Sequence, residues 1–272
     1  MSTTTRQTSE QVKTELIDQA IELARSGKGT GGPPHDQIAD LLRAYYRHVA
    51  PEDLVDRSDV DLYGAFAAHY KLAVERPQGT ARVQVGTPTL AETGWSASGH
   101  SVVEVVVDDM PFLVDSLTME LSRQLRDVHV VIHPNFDVVR DITGALQSMA
   151  VVADGVLEPE GEAVRESWMH VEIDRLPEGD DPAAIIEDIQ RVLRDVREAI
   201  EDWRKMHVQV ETIVDQLRSD PPPLEGDEVQ HAAEFLEWLA DEHFTFLGYK
   251  EYKLERRGDD EYLHAVPGTG LG

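Results

Sequence analysis

Four groups of residues carry types and spacings that could do chemistry. Gly27-Lys28-Gly29-Thr30 has the glycine and lysine content of a phosphate-binding loop, where backbone amides and an ammonium hold phosphate oxygens. The position five residues ahead of Lys28 is Leu23 where that loop needs glycine, no strand pattern precedes it, and Gly31 to Pro34 breaks the helix that should follow. A linker fits better. Gly268-Thr269-Gly270-Leu271-Gly272 has the glycine spacing of a dinucleotide-binding turn, which works by presenting a helix N-terminus to pyrophosphate. No helix remains after it, so no cofactor residue is assigned there. His129 and His133 are expected on one face of one strand, about 13 Å apart and too far to share a metal ion. Asp108, Asp109 and Asp115 could form an acid and base set. Structural roles explain them as well: Asp115 opens a helix where a carboxylate complements the dipole, and the pair at 108 and 109 sits where turns favour Asp. No catalytic residue and no metal ligand is assigned.

Positioning these residues falls to elements marked by apolar periodicity. Ile38, Leu41, Leu42, Tyr45, Tyr46 and Val49 share one helical face, and Val12, Leu16, Ala20, Leu23 and Ala24 form a looser stripe upstream. Ser58 with Asp61 resembles a capping box, with Leu62, Phe66 and Tyr70 following on one face. From Val83 the period changes to that of strands. Val102 to Val107, interrupted only by Glu104, reads as a central strand covered on both faces. Leu113, Leu117, Leu121 and Leu125 then step by four along a helix. Val128 to Val139 returns to strand composition, Ala145 to Val152 can pair with it across the Thr143-Gly144 turn, and Trp168 to Ile173 alternates. Ile185, Ile189, Val192, Val196, Ala199, Trp203, Met206, Val210, Ile213 and Leu217 keep a heptad spacing, which in one unbroken helix spans about 54 Å. Pro221 to Pro223 stops it. A shorter helix and two strand-like runs, Phe244 to Leu254 and Tyr262 to Val266, follow.

Composition narrows the partners. With 52 acidic against 25 basic residues, the net charge of −27 repels phosphate backbones, so nucleic acid is not an expected partner. The absence of cysteine removes disulfides and thiolate chemistry. No apolar run approaches the ~20 residues of a spanning helix, and the Thr- and Ser-rich start has no signal-peptide pattern, so neither a membrane nor export is expected. The expected location is the cytoplasm.

The run from Val103 to Leu117, Val-Glu-Val-Val-Val-Asp-Asp-Met-Pro-Phe-Leu-Val-Asp-Ser-Leu, strongly resembles the N-terminal segment of the large bacterial NAD-specific glutamate dehydrogenases. Asp61-Leu-Tyr-Gly-Ala65, Thr87-Pro-Thr-Leu90, Gly94-Trp95-Ser96, Phe244-Thr-Phe-Leu-Gly-Tyr249 and Val266-Pro-Gly-Thr-Gly-Leu-Gly272 stand in the order that resemblance requires. It implies a non-catalytic region that includes a domain resembling ACT modules, βαββαβ units that often bind amino acids. Many ligand-binding ACT modules carry Asp, any residue, Pro and Gly at the first strand-to-helix turn. Here the residues are Asp109, Met110, Pro111 and Phe112, so a bulky ring replaces the glycine that lets backbone approach a ligand. Phe112 is then a core plug or an interface residue, and Asp109 to Phe112 with Asp115 is the candidate effector or interface turn.

The expected fold is α+β: a helical segment over 1–80 beside an ACT-like βαββαβ domain with a long heptad helix over 81–220, then 224–272 as the truncated start of a further domain. The resemblance implies a parent enzyme that deaminates glutamate to 2-oxoglutarate and ammonia with NAD, the cofactor being held outside this chain. This segment is expected to regulate or assemble that enzyme, with the remainder of the enzyme and a second copy as partners. The alternative is an independent amino-acid-sensing module.

Overall fold

The structure is a computed structural model and describes residues 3–26, 33, 36–152, 159–177, 179–224, 226–258 and 260–272. The Gly27 to Thr30 run lies outside the described residues. The chain divides into two units, Met1–Leu193 and Arg194–Gly272.

In the first unit, helices α1 (Thr3–Arg25), α2 (Ile38–Tyr45) and α3 (Asp59–Ala73) precede an antiparallel sheet. The capping box at the start of α3 is formed, with Ser58 Oγ accepting from the Asp61 N–H at 3.1 Å. The strands are β1 (Arg82–Gly86), β2 (Ser101–Asp108), β3 (Val128–Ile132), β4 (Asn135–Arg140), β5 (Leu146–Val151) and β6 (Val164–Ile173), with α4 (Leu113–Arg123) after β2 and α5 (Pro182–Ile200) after β6. Among the described residues they form one six-stranded sheet in the order β1-β2-β6-β4-β5, with β3 also paired to β6. From β2 to α5 the order is strand, helix, four strands and helix, the first five elements of a βαββαβ unit with two additional strands. The edge beside β2 is filled by β1, which comes earlier in the chain.

β3 and β4 lie end to end along β6 in one register, Ile132 opposite His170 and Asn135 opposite Ser167. Pro134 interrupts the pairing because it has no N–H to give, although its carbonyl still accepts from the Trp168 N–H at 3.0 Å. The β4–β5 hairpin turns at Thr143-Gly144 as expected, with Gly144 at φ +89° and the Gly144 N–H donating to the Asp141 carbonyl.

Both faces of the sheet are covered, which is why burial is unbroken from Ser101 to Val107. On one face Val103, Val105, Val107, Met169, Val171 and Ile173 pack against leucines of α4 and against Ile185, Ile189 and Leu193 of α5. On the other face Val106, Phe136, Val138 and Trp168 share a core with α1, α2 and α3. The result is a helix, sheet and helix sandwich of α+β class. Two motifs of the sequence meet in it: Trp95 packs on Gly64, where an added Cβ would lie 2.2 Å from the Trp95 Cβ, and Asp61 Oδ1 accepts from the Ser96 N–H at 2.8 Å.

Three expectations need correction. Leu125 does not extend the buried stripe of α4. It is 91% exposed at φ +58°, because the helix closes in a Schellman cap in which the Arg126 N–H donates to Leu121 O and the Leu125 N–H to Ser122 O. The heptad run is not one helix of about 54 Å, since α5 ends at Ile200 and α6 (Trp203–Ser219) begins after Asp202. Asp202 leaves the helical region at φ −94°, ψ 7°, and its carboxylate is taken by Lys205 Nζ at 2.6 Å. The buried positions step by four on each helix, Ile185, Ile189 and Leu193 on α5 and Met206, Val210 and Val214 on α6. The third concerns the strand expected from Phe244, which starts at Tyr252.

In the second unit α6 packs on α7 (Gly226–Trp238), and β7 (Tyr252–Arg257) pairs with β8 (Asp260–Ala265) in a hairpin whose described residues are all exposed. No helix among the described residues is long and apolar enough to cross a membrane.

Candidate functional site

The predicted turn joins β2 to α4. Asp108 is not merely a turn residue: its Oδ1 accepts from Arg76 Nη2 at 2.5 Å, and Arg76 also donates to Glu166. Glu166, wholly buried, takes two further bonds from Arg140 at 2.5 and 2.8 Å. Two arginines thus compensate one interior carboxylate at the end of the sheet that carries the turn, as a buried charge requires. The Asp109 N–H donates to Arg165 O, and desolvation raises its carboxyl above the ordinary value despite the nearby Arg165 charge and a hydrogen bond from Asn135. Asp115 lies exposed in the first turn of α4, where its charge suits the helix dipole.

Phe112 is the N-cap of α4 at φ 67°, ψ 7°, a left-handed conformation that costs an L-residue ~1–2 kcal/mol. The ring is 42% exposed, so it plugs no core. The expected strand face with two histidines is also corrected. His129 falls at the irregularity between Val128 and Val130, stacks on His100 at 4.2 Å and pairs with Asp174, whereas His133 lies beyond the end of β3 and bonds to Ser167.

A second group of residues, which the motif reading passed over, gathers between the sheet and α2–α3. Glu104 on β2 stands directly across the ladder from His170 on β6, and Glu172 is on the same face two residues on. Arg57, just ahead of α3, forks Glu172 with bonds of 2.8 and 2.7 Å, and His100 Nδ1 lies 3.0 Å from Glu172 Oε2. His69 of α3 is fully used: Nδ1 meets the Tyr45 hydroxyl at 2.9 Å and Nε2 meets Val105 O at 3.1 Å.

The titration of these groups follows from that geometry. Burial pushes His69 down to about 4. Burial opposes ionisation of Glu172, but the positive charges of His170 and Arg57 with the His100 contact bring it down to about 2. His170 is raised: burial favours its neutral form, and Glu104 and Glu172 overcome that. Donor atoms of His69, Glu104 and His170 lie within 4.8 Å of one another, the spacing of a loose metal site. With both nitrogens of His69 already bonded, the donor set fits a charge network better than a metal ion.

One signal in the sequence could have found the cluster. In a run buried on both faces, alternation places Glu166, Trp168, His170 and Glu172 on one side, and Glu104 interrupts the valines that face them. Ionisable residues inside a central strand mark buried polar work. The glycine-rich run at the end of the second unit joins a backbone bridge. Leu271 there exchanges backbone bonds of 3.0 and 2.9 Å with Tyr249 and caps no helix.

Residues 41–189, from α2 into α5, match the family described as glutamate dehydrogenase, ACT1 domain. The chain is 33% identical over 237 residues to the NAD-specific glutamate dehydrogenase of Halomonas elongata, 29% over 227 to that of Pseudomonas aeruginosa and 26% over 240 to that of Mycobacterium tuberculosis. These alignments cover 87%, 82% and 88% of the chain, which spans 14% of the length of each relative. A family match over more than half of its length, lying on the sheet, its two helices and the α2–α3 cover, shows that the chain belongs to the glutamate dehydrogenase ACT1-domain family.

Proposed function

We propose that this chain is a non-catalytic regulatory and assembly region of an NAD-specific glutamate dehydrogenase. The parent enzyme oxidatively deaminates glutamate to 2-oxoglutarate and ammonia, in the cytoplasm, with NAD bound by parts outside this chain. The names of the relatives support the parent activity. The observation that carries the role is Phe112. An aromatic ring 42% exposed, on a backbone held at positive φ where ligand-binding ACT modules have glycine, suits contact with another surface better than approach to an amino acid. Met119, two helical turns on and 72% exposed, is a second exposed apolar side chain on that side of α4, with Asp115 between them. The partners are the remainder of the enzyme and further copies of the chain.

One observation favours amino-acid sensing as the second reading. Asn135 Oδ1, beside Asp109, is buried without a hydrogen-bond partner among the described residues and could accept from an ammonium group. Two measurements test the assignment. The chain mixed with glutamate and NAD should form no NADH, and sustained turnover would overturn the non-catalytic role. Calorimetric titration with a panel of amino acids should give no heat, whereas saturable binding lost in Asn135→Ala would install the sensing reading.

A further inference from the structure

His170 is 0% exposed, and neither of its ring nitrogens has a hydrogen-bond partner among the described residues. Nδ1 faces Glu104 Oε1 at 3.5 Å and Nε2 faces Glu172 Oε1 at 3.7 Å, distances of ion pairing rather than of hydrogen bonds. Glu104 Oε1 has no hydrogen-bond partner among the described residues. From the helical side, α2 brings the Tyr45 and Tyr46 hydroxyls and α3 brings His69, its ring centroid 6.4 Å from that of His170. Arg57 comes from the segment leading into α3, with Asp61 and Asp53 bordering the same space, and His100 reaches Glu172 from the more exposed rim. From β3 the opposing residue is the apolar Ile132.

Of the two buried carboxylates, Glu172 is held by Arg57, while Glu104 Oε1 has only the His170 ring opposite it among the described residues. A neutral imidazole carries one N–H and can serve only one of them, whereas the protonated ring presents an N–H to each. The opposite face of the sheet is packed by α4 and α5, so the cluster is closed over by the α2–α3 side and by His100 at the rim.

We propose that Glu104, His170, Glu172 and Arg57 form a proton-operated latch, in which the proton held by His170 keeps the α2–α3 layer closed on the sheet and its loss at rising pH loosens that layer. The direction agrees with His170 being held above its ordinary value. A group raised on folding stabilises fully below its unfolded value and loses that contribution as pH rises through the folded one. His69, depressed by burial, acts in the opposite sense at acid pH and is not part of the latch.

The test follows histidine ring signals by NMR in the whole chain from about pH 5 to about pH 9, with amide exchange measured in parallel and corrected for its intrinsic pH dependence. The latch requires His170 to titrate above an ordinary histidine. It also requires protection in Ile38–Ala73 to fall over the same range while Leu113–Arg123 keeps its protection. Glu104→Gln should move the His170 titration downward. Should that variant not fold, the wild-type titration and exchange still decide. His170 titrating at or below the ordinary value, or both helical layers losing protection together, overturns the latch. A rise in melting temperature with Zn2+, reversed by EDTA and absent in Glu104→Gln, would make the cluster a metal site and overturn it too.

Discussion

Arg57 holds both carboxylate oxygens of Glu172, at 2.8 and 2.7 Å, across 115 residues of sequence. The pair ties the segment leading into α3 to the C-terminal end of β6 with both side chains nearly sealed from solvent, at 12% and 3% exposure. Removing Arg57 leaves Glu172 buried without its two strong bonds, with only the His100 and His170 rings beside it. Arg57→Ala should therefore cost ~3–5 kcal/mol, well above the ~0–1 kcal/mol of a surface pair, read as the shift of a urea unfolding curve. A loss under 1 kcal/mol would mean that the pair is solvated in the protein.

Gly64 and Trp95 make a second long-range contact that can be tested by size. A methyl group at Gly64 would overlap the Trp95 side chain, whereas one at Gly86 meets nothing within 4 Å. Gly64→Ala should destabilise by ~1–3 kcal/mol and Gly86→Ala should stay within ~0.5 kcal/mol. Equal effects at the two sites would show that Trp95 does not pack on α3.

Leu125 and Phe112 both hold left-handed backbone, at φ 58° and 67°. Glycine takes that conformation without the Cβ clash. Leu125→Gly, at a side chain that is almost wholly exposed, should raise stability by ~0.5–1 kcal/mol, seen as a higher melting temperature. Phe112→Gly should do the same if its ring makes no stabilising contact within the chain. A lower melting temperature for Leu125→Gly would contradict the Schellman cap.

On the acid side, two buried groups act in the same direction. His69, neutral in the fold and depressed to about 4, lets the unfolded chain take up a proton first, so stability falls as pH drops from about 6.5 toward 4. Glu172, lowered to about 2, adds stability that is present above its ordinary value and lost as pH falls through the folded one. His69→Gln should flatten the upper part of this limb, a term on the order of 3 kcal/mol, and leave the lower part standing. Unfolding curves recorded at a series of pH values separate the two; an unchanged upper limb in the variant would remove His69 as its source.

Much of the fold was legible because burial leaves periodic marks. The unbroken valines of β2, the four-residue steps of α2 and the Ser58–Asp61 cap all follow from local chemistry. Other features depend on partners that one segment does not announce. The helix break at Asp202 needs a carboxylate to leave the helix, and Leu125 takes a conformation that sequence would assign to glycine. The site was half legible. The Asp109–Phe112 turn was named, yet its support by Arg76, Arg140 and Glu166 spans residues far apart in the chain. The Glu104–His170 pair could be seen only as ionisable residues out of place in central strands, since the register that sets them face to face is a tertiary fact.

Light scattering on the purified chain, with and without glutamate and other amino acids, is the most direct test of the assembly role. The expected result is a mass that is a multiple of the single chain, unchanged by amino acids and reduced in Phe112→Asp. A monomer at every concentration that also ignores every amino acid would contradict it.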